Sequence, residues 1–108
     1  MSSEAVTVSI EYRALAGRSG EALAALAELT ATVVEREPDC AGIRLLQNDE
    51  EPHRILLDER WSSREAYLGP HLQTPHLQAF IARAGDLFEG PPSIRFWHER
   101  GESLPGDA

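Results

Sequence analysis

The sequence has little of three things: cysteine, positive charge and long apolar segments. Cys40 is its one cysteine, which excludes an internal disulfide. No apolar run approaches the roughly 20 residues that a membrane-spanning helix needs. The 10 lysines and arginines are outnumbered by 18 acidic residues, for a net charge of -8. Because nucleic acids and anionic membrane surfaces are bound by clustered basic side chains, we expect neither as a partner.

The ends and the length of the chain give further expectations. Residues 1–9 contain no basic stretch followed by a long apolar one, so they are not expected to be a secretion signal. Together with the single cysteine, this predicts a cytoplasmic protein. A chain of 108 residues has the length of one domain. We expect its core at about 5–99 and a loose tail at 100–108.

Hydrophobic periodicity divides the chain into strands and helices. Residues 5–15 alternate between apolar and polar side chains, which is typical of a half-buried strand. Between 20 and 37 the apolar residues recur at helical spacing, with Ser19 as the expected cap, until Pro38 ends the pattern. The later predicted elements are strands at about 42–48 and 53–61, a short helix begun by a capping box at Ser62–Glu65, a helix from Thr74 that Gly90-Pro91-Pro92 ends, and a strand at about 93–99.

This order of elements predicts an α+β, ferredoxin-like fold. The β-α-β-β-α-β pattern builds a four-stranded antiparallel sheet with its helices on one face. Ile55, Leu56 and Leu57 are consecutive, as are Phe96 and Trp97, which suggests strands that are apolar on both faces. Because the helices cover only one face, we predict that a second copy covers the other. The expected assembly is a homodimer forming an α+β barrel.

The stretch 61–80, WSSREAYLGPHLQTPHLQAF, contains an interrupted helix. The first part breaks at Gly69-Pro70, and Thr74-Pro75 supplies a cap and a first residue for the next part. His71 and His76 lie at this break, with several aromatic residues in or near it. A ligand pocket is predicted here.

Four segments of the chain carry a family resemblance: the Ala16-Gly17 turn, residues 37–42 (EPDCAG), residues 59–61 (ERW) and, most specifically, residues 71–80 (HLQTPHLQAF). From about Val6 to Trp97 the chain resembles the antibiotic biosynthesis monooxygenase (ABM) domains of the dimeric α/β-barrel superfamily. The resemblance implies a dimer whose two sheets form a barrel, with a pocket between sheet and helices in each subunit.

The resemblance also limits the chemistry. ABM domains include oxygenases that need neither metal nor flavin and that oxidise quinols or polycyclic phenols. The superfamily also includes haem-degrading enzymes, isomerases and members of no known activity, so the fold alone leaves the reaction open. The haem-degrading relatives use an asparagine, a tryptophan and a histidine at positions that correspond here to Ile10, His71 and about Ile81. None of the three matches, so haem degradation is not carried over.

Oxygenation without a cofactor requires a substrate that, once deprotonated, can give an electron to dioxygen. The protein must then supply an apolar cavity and a base that titrates near neutral pH. His71 is the candidate base, because imidazole titrates near pH 6.5. Arg44 or Arg95 is a candidate to hold the developing oxyanion. The candidate walls of the substrate pocket are Trp61, Tyr67 and Phe80.

Each candidate residue also has a structural interpretation. The aromatic residues are equally compatible with a place in the hydrophobic core, and His71 can cap the short helix or hydrogen-bond to a carbonyl group. His76 is expected to be a solvated residue of a helix's first turn, and Cys40 a buried structural cysteine. His71 and His76 do not share a helix face, and no cluster of ligands completes a metal set, so no metal or other cofactor is expected.

Three functions are compatible with these sequence features. The first is a cofactor-independent monooxygenase, an oxidoreductase acting on a quinol or polyphenolic aromatic. The second is a non-catalytic module that binds a small aromatic or lipid-like ligand in the same pocket. The third is an isomerase or epimerase that uses a histidine base.

Overall fold

A computed structural model describes residues 4–106 as one four-stranded antiparallel sheet with its helices packed on one face. The order of strands across the sheet is β2-β3-β1-β4, which confirms the predicted ferredoxin-like fold. The elements are β1 (Val6–Arg13), α1 (Ser19–Arg36), β2 (Cys40–Gln47), β3 (Arg54–Trp61), α2 (Arg64–Leu68), a 3-10 segment (Pro70–Gln73), α3 (Pro75–Ala84) and β4 (Ser93–Trp97).

The inner face of the sheet forms the core with the helices. Alternate residues of β1 and β3 are buried, and the others are partly or fully exposed, as a period of two requires. Val8 lies opposite Glu59 on one side and Phe96 on the other, which fixes the register of the three strands. Helix α1 buries Leu26 and Val33 against this face.

The open face of the sheet is more polar than the sequence pattern suggested. Ion pairs join Arg44 to Asp58 at 2.6 Å and Arg54 to Glu11 at 2.8 Å across this face. Of the three consecutive apolar residues in β3, only Leu56 faces outward, since its neighbours turn to the core. The inference that both faces are apolar was therefore wrong for most of this surface. The homodimer stays a prediction.

Capping side chains begin α2 and α3 but not α1, and two of the three helix starts differ by one residue from the prediction. Ser19 is the first residue of α1 rather than its cap. Ser63, not Ser62, caps α2 by accepting a hydrogen bond from the N–H of Ala66 at 3.0 Å. Ser62 instead donates to Asp39 at 2.7 Å, which ties the end of β3 to the turn before β2.

Helix α3 begins as predicted and ends earlier than predicted. Thr74 caps it by accepting from the N–H of Leu77, and Pro75 is its first residue. The helix stops at Ala84, so the chain leaves it well before Gly90. The intervening turn carries Phe88 back to a single bridge with Ala14 beside β1.

Parts of two terminal predictions lie outside the described residues, namely the first three residues of the expected non-signal N-terminus and the last two of the expected tail. In the range 4–106, no helix is long and apolar enough to cross a membrane.

Candidate functional site

An apolar cavity of about 410 Å³ lies between the sheet and α3. Four aromatic residues line it, from β1, α2, α3 and the turn after α3: Tyr12, Tyr67, Phe80 and Phe88. Its remaining lining residues are aliphatic, glycine or proline, so the two tyrosine hydroxyls are the polar side-chain groups of the lining. A cavity of this size and character suits a small aromatic ligand.

The cavity's aromatic residues form two groups of ring contacts. Tyr12 contacts Phe88 at 4.7 Å and Phe80 at 6.1 Å between ring centroids. Tyr67 contacts Trp61 edge to face at 5.6 Å. Trp61 itself is fully buried and is not among the lining residues, so it supports the wall from behind. The contacts fix the wall rings in place by packing.

His71, in the 3-10 segment, is 3% exposed and lies behind the same wall. Its ring is 4.6 Å from that of Trp61 and 4.9 Å from that of Tyr67. Its Nδ1 lies 2.9 Å from Oε1 of Glu37. Because a carboxylate only accepts, Nδ1 carries the proton and Nε2 keeps its lone pair. Within residues 4–106 no group hydrogen-bonds to Nε2.

The protonation state of His71 follows from two opposing influences. Burial lowers the pKa of His71, and the hydrogen bond and charge of Glu37 raise it by less. The imidazole is therefore neutral at pH 7. Its contact with Glu37 is a hydrogen bond from a neutral ring to a carboxylate, although the distance alone would also fit an ion pair. A neutral imidazole is the form that a general base requires.

Glu37 also binds His76, which the sequence had placed in solvent. Nε2 of His76 lies 2.6 Å from Oε2 of Glu37, and its Nδ1 is buried without a partner in the described part of the chain. The first turn of α3 packs toward the end of α1, so the ring is largely buried and that prediction was wrong. One carboxylate thus ties α1 to the 3-10 segment and to α3.

Glu59 is a second acid in this region, and the sequence analysis gave it no role in the predicted site. Its side chain is 3% exposed on the inner face of β3 and accepts a hydrogen bond from Nε1 of Trp61 at 2.9 Å. Burial raises the pKa of Glu59 to about 7; the bond from Trp61 opposes the rise, and the charge of Glu37 adds to it. The available signal was its register, since Ile55, Leu57 and Trp61 share its side of the strand.

Burial also keeps the nearby phenols and thiol protonated. It is the main cause that raises the pKa of Tyr12 and of Tyr67, and the charge of Glu59 contributes to both. Burial likewise raises the pKa of Cys40 to about 11. The prediction of Cys40 as a buried cysteine is confirmed.

The structure brings most of the predicted site residues together but leaves the arginines out. Tyr67 and Phe80 line the cavity, and Trp61 and His71 lie directly behind Tyr67. Arg44 extends from the opposite face of the sheet, where its side chain is 69% exposed and paired with Asp58. Arg95, opposite Ser9, is on that face too. Successive residues of a strand alternate in direction, and the sequence did not fix which arginine positions face inward.

Glu37, His71 and His76 together do not form a metal site. Both imidazoles direct a nitrogen at the same carboxylate, at hydrogen-bonding distance. Across residues 4–106, no three side chains of histidine, cysteine, aspartate or glutamate are arranged to hold a metal ion.

Residues 5–83, well over half of the chain, match the model of the family described as antibiotic biosynthesis monooxygenase. The chain belongs to this family. The matched range contains β1 through most of α3, and therefore Glu37, Glu59, His71 and most of the cavity wall. The resemblance noted in the sequence is confirmed.

Solved structures share the ABM fold along nearly the whole chain. A candidate antibiotic biosynthesis monooxygenase from Caulobacter crescentus superposes with a TM-score of 0.81 at 22% identity, covering 92% of each chain. Rv0793 from Mycobacterium tuberculosis gives a TM-score of 0.79 at 22% identity, covering 94% of this chain and 100% of that one. At these identities the similarity shows the fold alone.

One curated relative aligns over part of the chain. An uncharacterised protein of Synechocystis, sll1783, is 31% identical over 61 residues, which is 56% of this chain and 41% of that protein. The aligned part is thus less than half of the relative's length.

Proposed function

We propose that this ABM-family protein is a cofactor-independent monooxygenase that oxidises a quinol or polyphenolic aromatic with dioxygen. The observation that carries the proposal is the cavity of about 410 Å³ with its wall of aromatic rings. Electron-rich aromatic substrates stack on such rings, and an apolar cavity excludes water from a reactive anion. Tyr67 and Phe80 are the proposed substrate contacts, with Trp61 behind them.

In this proposal His71 is the general base. The Nδ1–H group of His71 donates its hydrogen bond to Glu37, which leaves the lone pair of Nε2 free to accept the proton of a substrate hydroxyl. The carboxylate of Glu37 then stabilises the imidazolium that forms. The substrate anion gives an electron to dioxygen. For a simple quinol the balance is one quinol and one dioxygen giving one hydroxyquinone and one water. Because His71 lies behind Tyr67, the hydroxyl must reach past the edge of that ring.

The composition of the lining favours a second candidate, a module that binds a small aromatic without reacting with it. Two phenols are the polar side-chain groups of the lining, and both are poor bases in their protonated form. His71 is not among the lining residues. Under this alternative the same ligands bind, and nothing is oxidised.

Oxygen uptake with a panel of hydroquinones, without added metal, flavin or haem, tests both functions. We expect His71→Gln to lower the rate about 10²–10⁴-fold with little change in binding, because a general base contributes that much. His98→Gln is the matched control, since His98 is exposed at the end of β4. Binding without oxygen uptake would establish the module instead. Turnover that persists under nitrogen would indicate an isomerase, and absence of binding would refute the site.

A further inference from the structure

The lining of the cavity beside α3 divides into a buried aromatic part and an exposed aliphatic part. The rings of Tyr12, Phe80 and Phe88 are almost fully buried and contact one another. Ile81 of α3 is 53% exposed and Ile94 of β4 is 44% exposed, although both line the same cavity. The cavity therefore reaches solvent beside these two isoleucines. We call its exposed lining residues the mouth; they are Ile81, Gly85, Gly90, Pro91 and Ile94.

The early end of α3 leaves the mouth open. The helix stops at Ala84, and the turn after it returns to β1, where Phe88 bridges Ala14. Ile94 pairs with Ile10 in the sheet, and directly paired residues of antiparallel strands point to the same face. Ile10 is buried in the core, whereas Ile94 remains exposed. The inner face of the sheet is thus uncovered at its β4 edge.

The mouth is apolar although charged residues flank it along the chain. None of its five side chains carries a charge or a hydrogen-bonding group. Arg83 and Asp86, from the same segment, line a separate groove against α1, and Arg95 lies on the opposite face of β4. Because a charged group that enters apolar surroundings without a partner loses its solvation, this lining disfavours a charged substituent on the ligand.

The cavity offers more apolar surface than a single aromatic ring covers. Its volume of about 410 Å³ lies within the range of roughly 300–1,000 Å³ that holds drug-sized ligands. A hydroquinone ring against the aromatic residues would leave the aliphatic part of the lining, which includes Leu72, Leu77 and Ala84, without contact. Each methylene group that a ligand buries on such surface raises its affinity about fourfold.

We propose that the ligand is an aromatic ring that carries an alkyl chain, with the ring against the aromatic residues of the cavity and the chain leaving through the mouth between Ile81 and Ile94. The inference rests on the proposed function, which supplies the hydroxylated ring, and it adds the substituent. The substrate class is accordingly an alkyl-substituted quinol. The chain runs from the aliphatic lining to solvent, so it is uncharged where it crosses the mouth.

Binding under nitrogen measures the contribution of the chain separately from turnover. The probes are hydroquinone, butylhydroquinone and a hydroquinone with an ether-containing chain of the same length, each titrated against the whole protein by calorimetry. We expect butylhydroquinone to bind at least about tenfold more tightly than hydroquinone. The ether-containing chain should lose most of this gain, because its oxygen must give up water to enter the apolar lining.

Substitutions at the mouth locate the chain. Ile94→Thr keeps a β-branched residue in the strand, and Ile81→Gln keeps a good helix former in α3. Together they should lower the ratio of the two affinities to about threefold or less, while the Kd for hydroquinone changes by less than about twofold. Leu46→Thr and Val34→Gln are the matched controls, since both residues are similarly exposed and neither lines the cavity. The controls should keep the wild-type ratio.

Two results overturn the proposal and leave the monooxygenase in place: a butyl chain that adds nothing to the affinity, or a gain that survives in the doubly substituted protein. If Ile81 and Ile94 pack instead against a second copy of the chain, their substitution lowers the apparent mass in solution and leaves the ratio unchanged, which also overturns it. The three probes decide the question on the wild type alone if a variant does not fold.

The same titrations separate this inference from the proposed function. The expected ratio of affinities without oxygen uptake would keep the alkyl-substituted aromatic as the ligand and remove only its oxidation. Failure of both hydroquinone and butylhydroquinone to bind would refute the ligand site itself, and the proposed function with it.

Discussion

Glu37 and Glu59 carry the same carboxyl group in opposite surroundings. Glu37, at the end of α1, lies 2.9 Å from Nδ1 of His71 and 2.6 Å from Nε2 of His76. Glu59, in β3, receives one hydrogen bond from an indole at 2.9 Å and is otherwise enclosed by apolar side chains. In the first arrangement one carboxyl group joins three elements. The second favours a group that gains and loses its proton.

The largest effect is expected from removing the carboxyl group of Glu37, which joins α1 to the 3-10 segment and to α3. Glu37→Ala deletes two hydrogen bonds to a charged acceptor and leaves buried imidazole nitrogens without partners, so we expect a loss of about 4 kcal/mol in the free energy of unfolding. Urea unfolding measures it, with Glu35→Ala, an exposed residue near the same helix end, as the control. If Glu37→Ala and Glu35→Ala proved equally stable, the carboxylate would not hold these elements together.

The second prediction concerns the pH dependence of stability. Whereas the Glu37 carboxyl stabilises the fold, ionisation of the Glu59 carboxyl should destabilise it. The pKa of Glu59 is about 7 in the folded protein and 4.5 in its ordinary state, so the folded protein binds the extra proton between these values. Stability should therefore fall as pH rises through this interval, by on the order of 3 kcal/mol. Urea unfolding of the wild type and Glu59→Gln at about pH 5 and about pH 8 isolates this contribution.

In that comparison Glu59→Gln should be the more stable protein at the higher pH. The difference in the free energy of unfolding between the two proteins should be smaller at the lower pH. An equal difference in the free energy of unfolding at both pH values would mean that folding does not raise the pKa of Glu59, and the contrast between the two acids would disappear.

The smallest effect is expected at a third acid, Asp58, because its ion-pair partner Arg44 is exposed to solvent. Arg44 is 69% exposed, so Arg44→Ala should change the free energy of unfolding by less than about 1 kcal/mol. Because Arg44 is on the face opposite the cavity, the affinity for hydroquinone, measured by titration calorimetry, should not change. A marked loss of affinity would return Arg44 to the substrate site that was predicted for it from the sequence.

Local sequence was sufficient wherever neighbouring residues decide the structure. Alternation in residues 5–15 predicted β1, and the pair Thr74-Pro75 predicted the start of α3. Residues 71–80 carried the family resemblance, and the family match over 5–83 confirms it. The prediction placed the cap of α2 one residue early, because Ser62 and Ser63 are chemically equivalent and only Ser62 is within reach of Asp39.

By itself, then, the sequence determined the order of the elements, the fold, the family and the aromatic and histidine residues beside the helix break. These follow from periodicity and from contiguous segments. Only the tertiary structure decided the partners of the ionisable groups. Glu37 and the two histidines are 34 and 39 residues apart along the chain, and Glu59 and Arg44 differ by the side of the sheet to which each side chain turns. Charge and burial act through space, so distances across the fold set which acid is an anchor and which can exchange a proton.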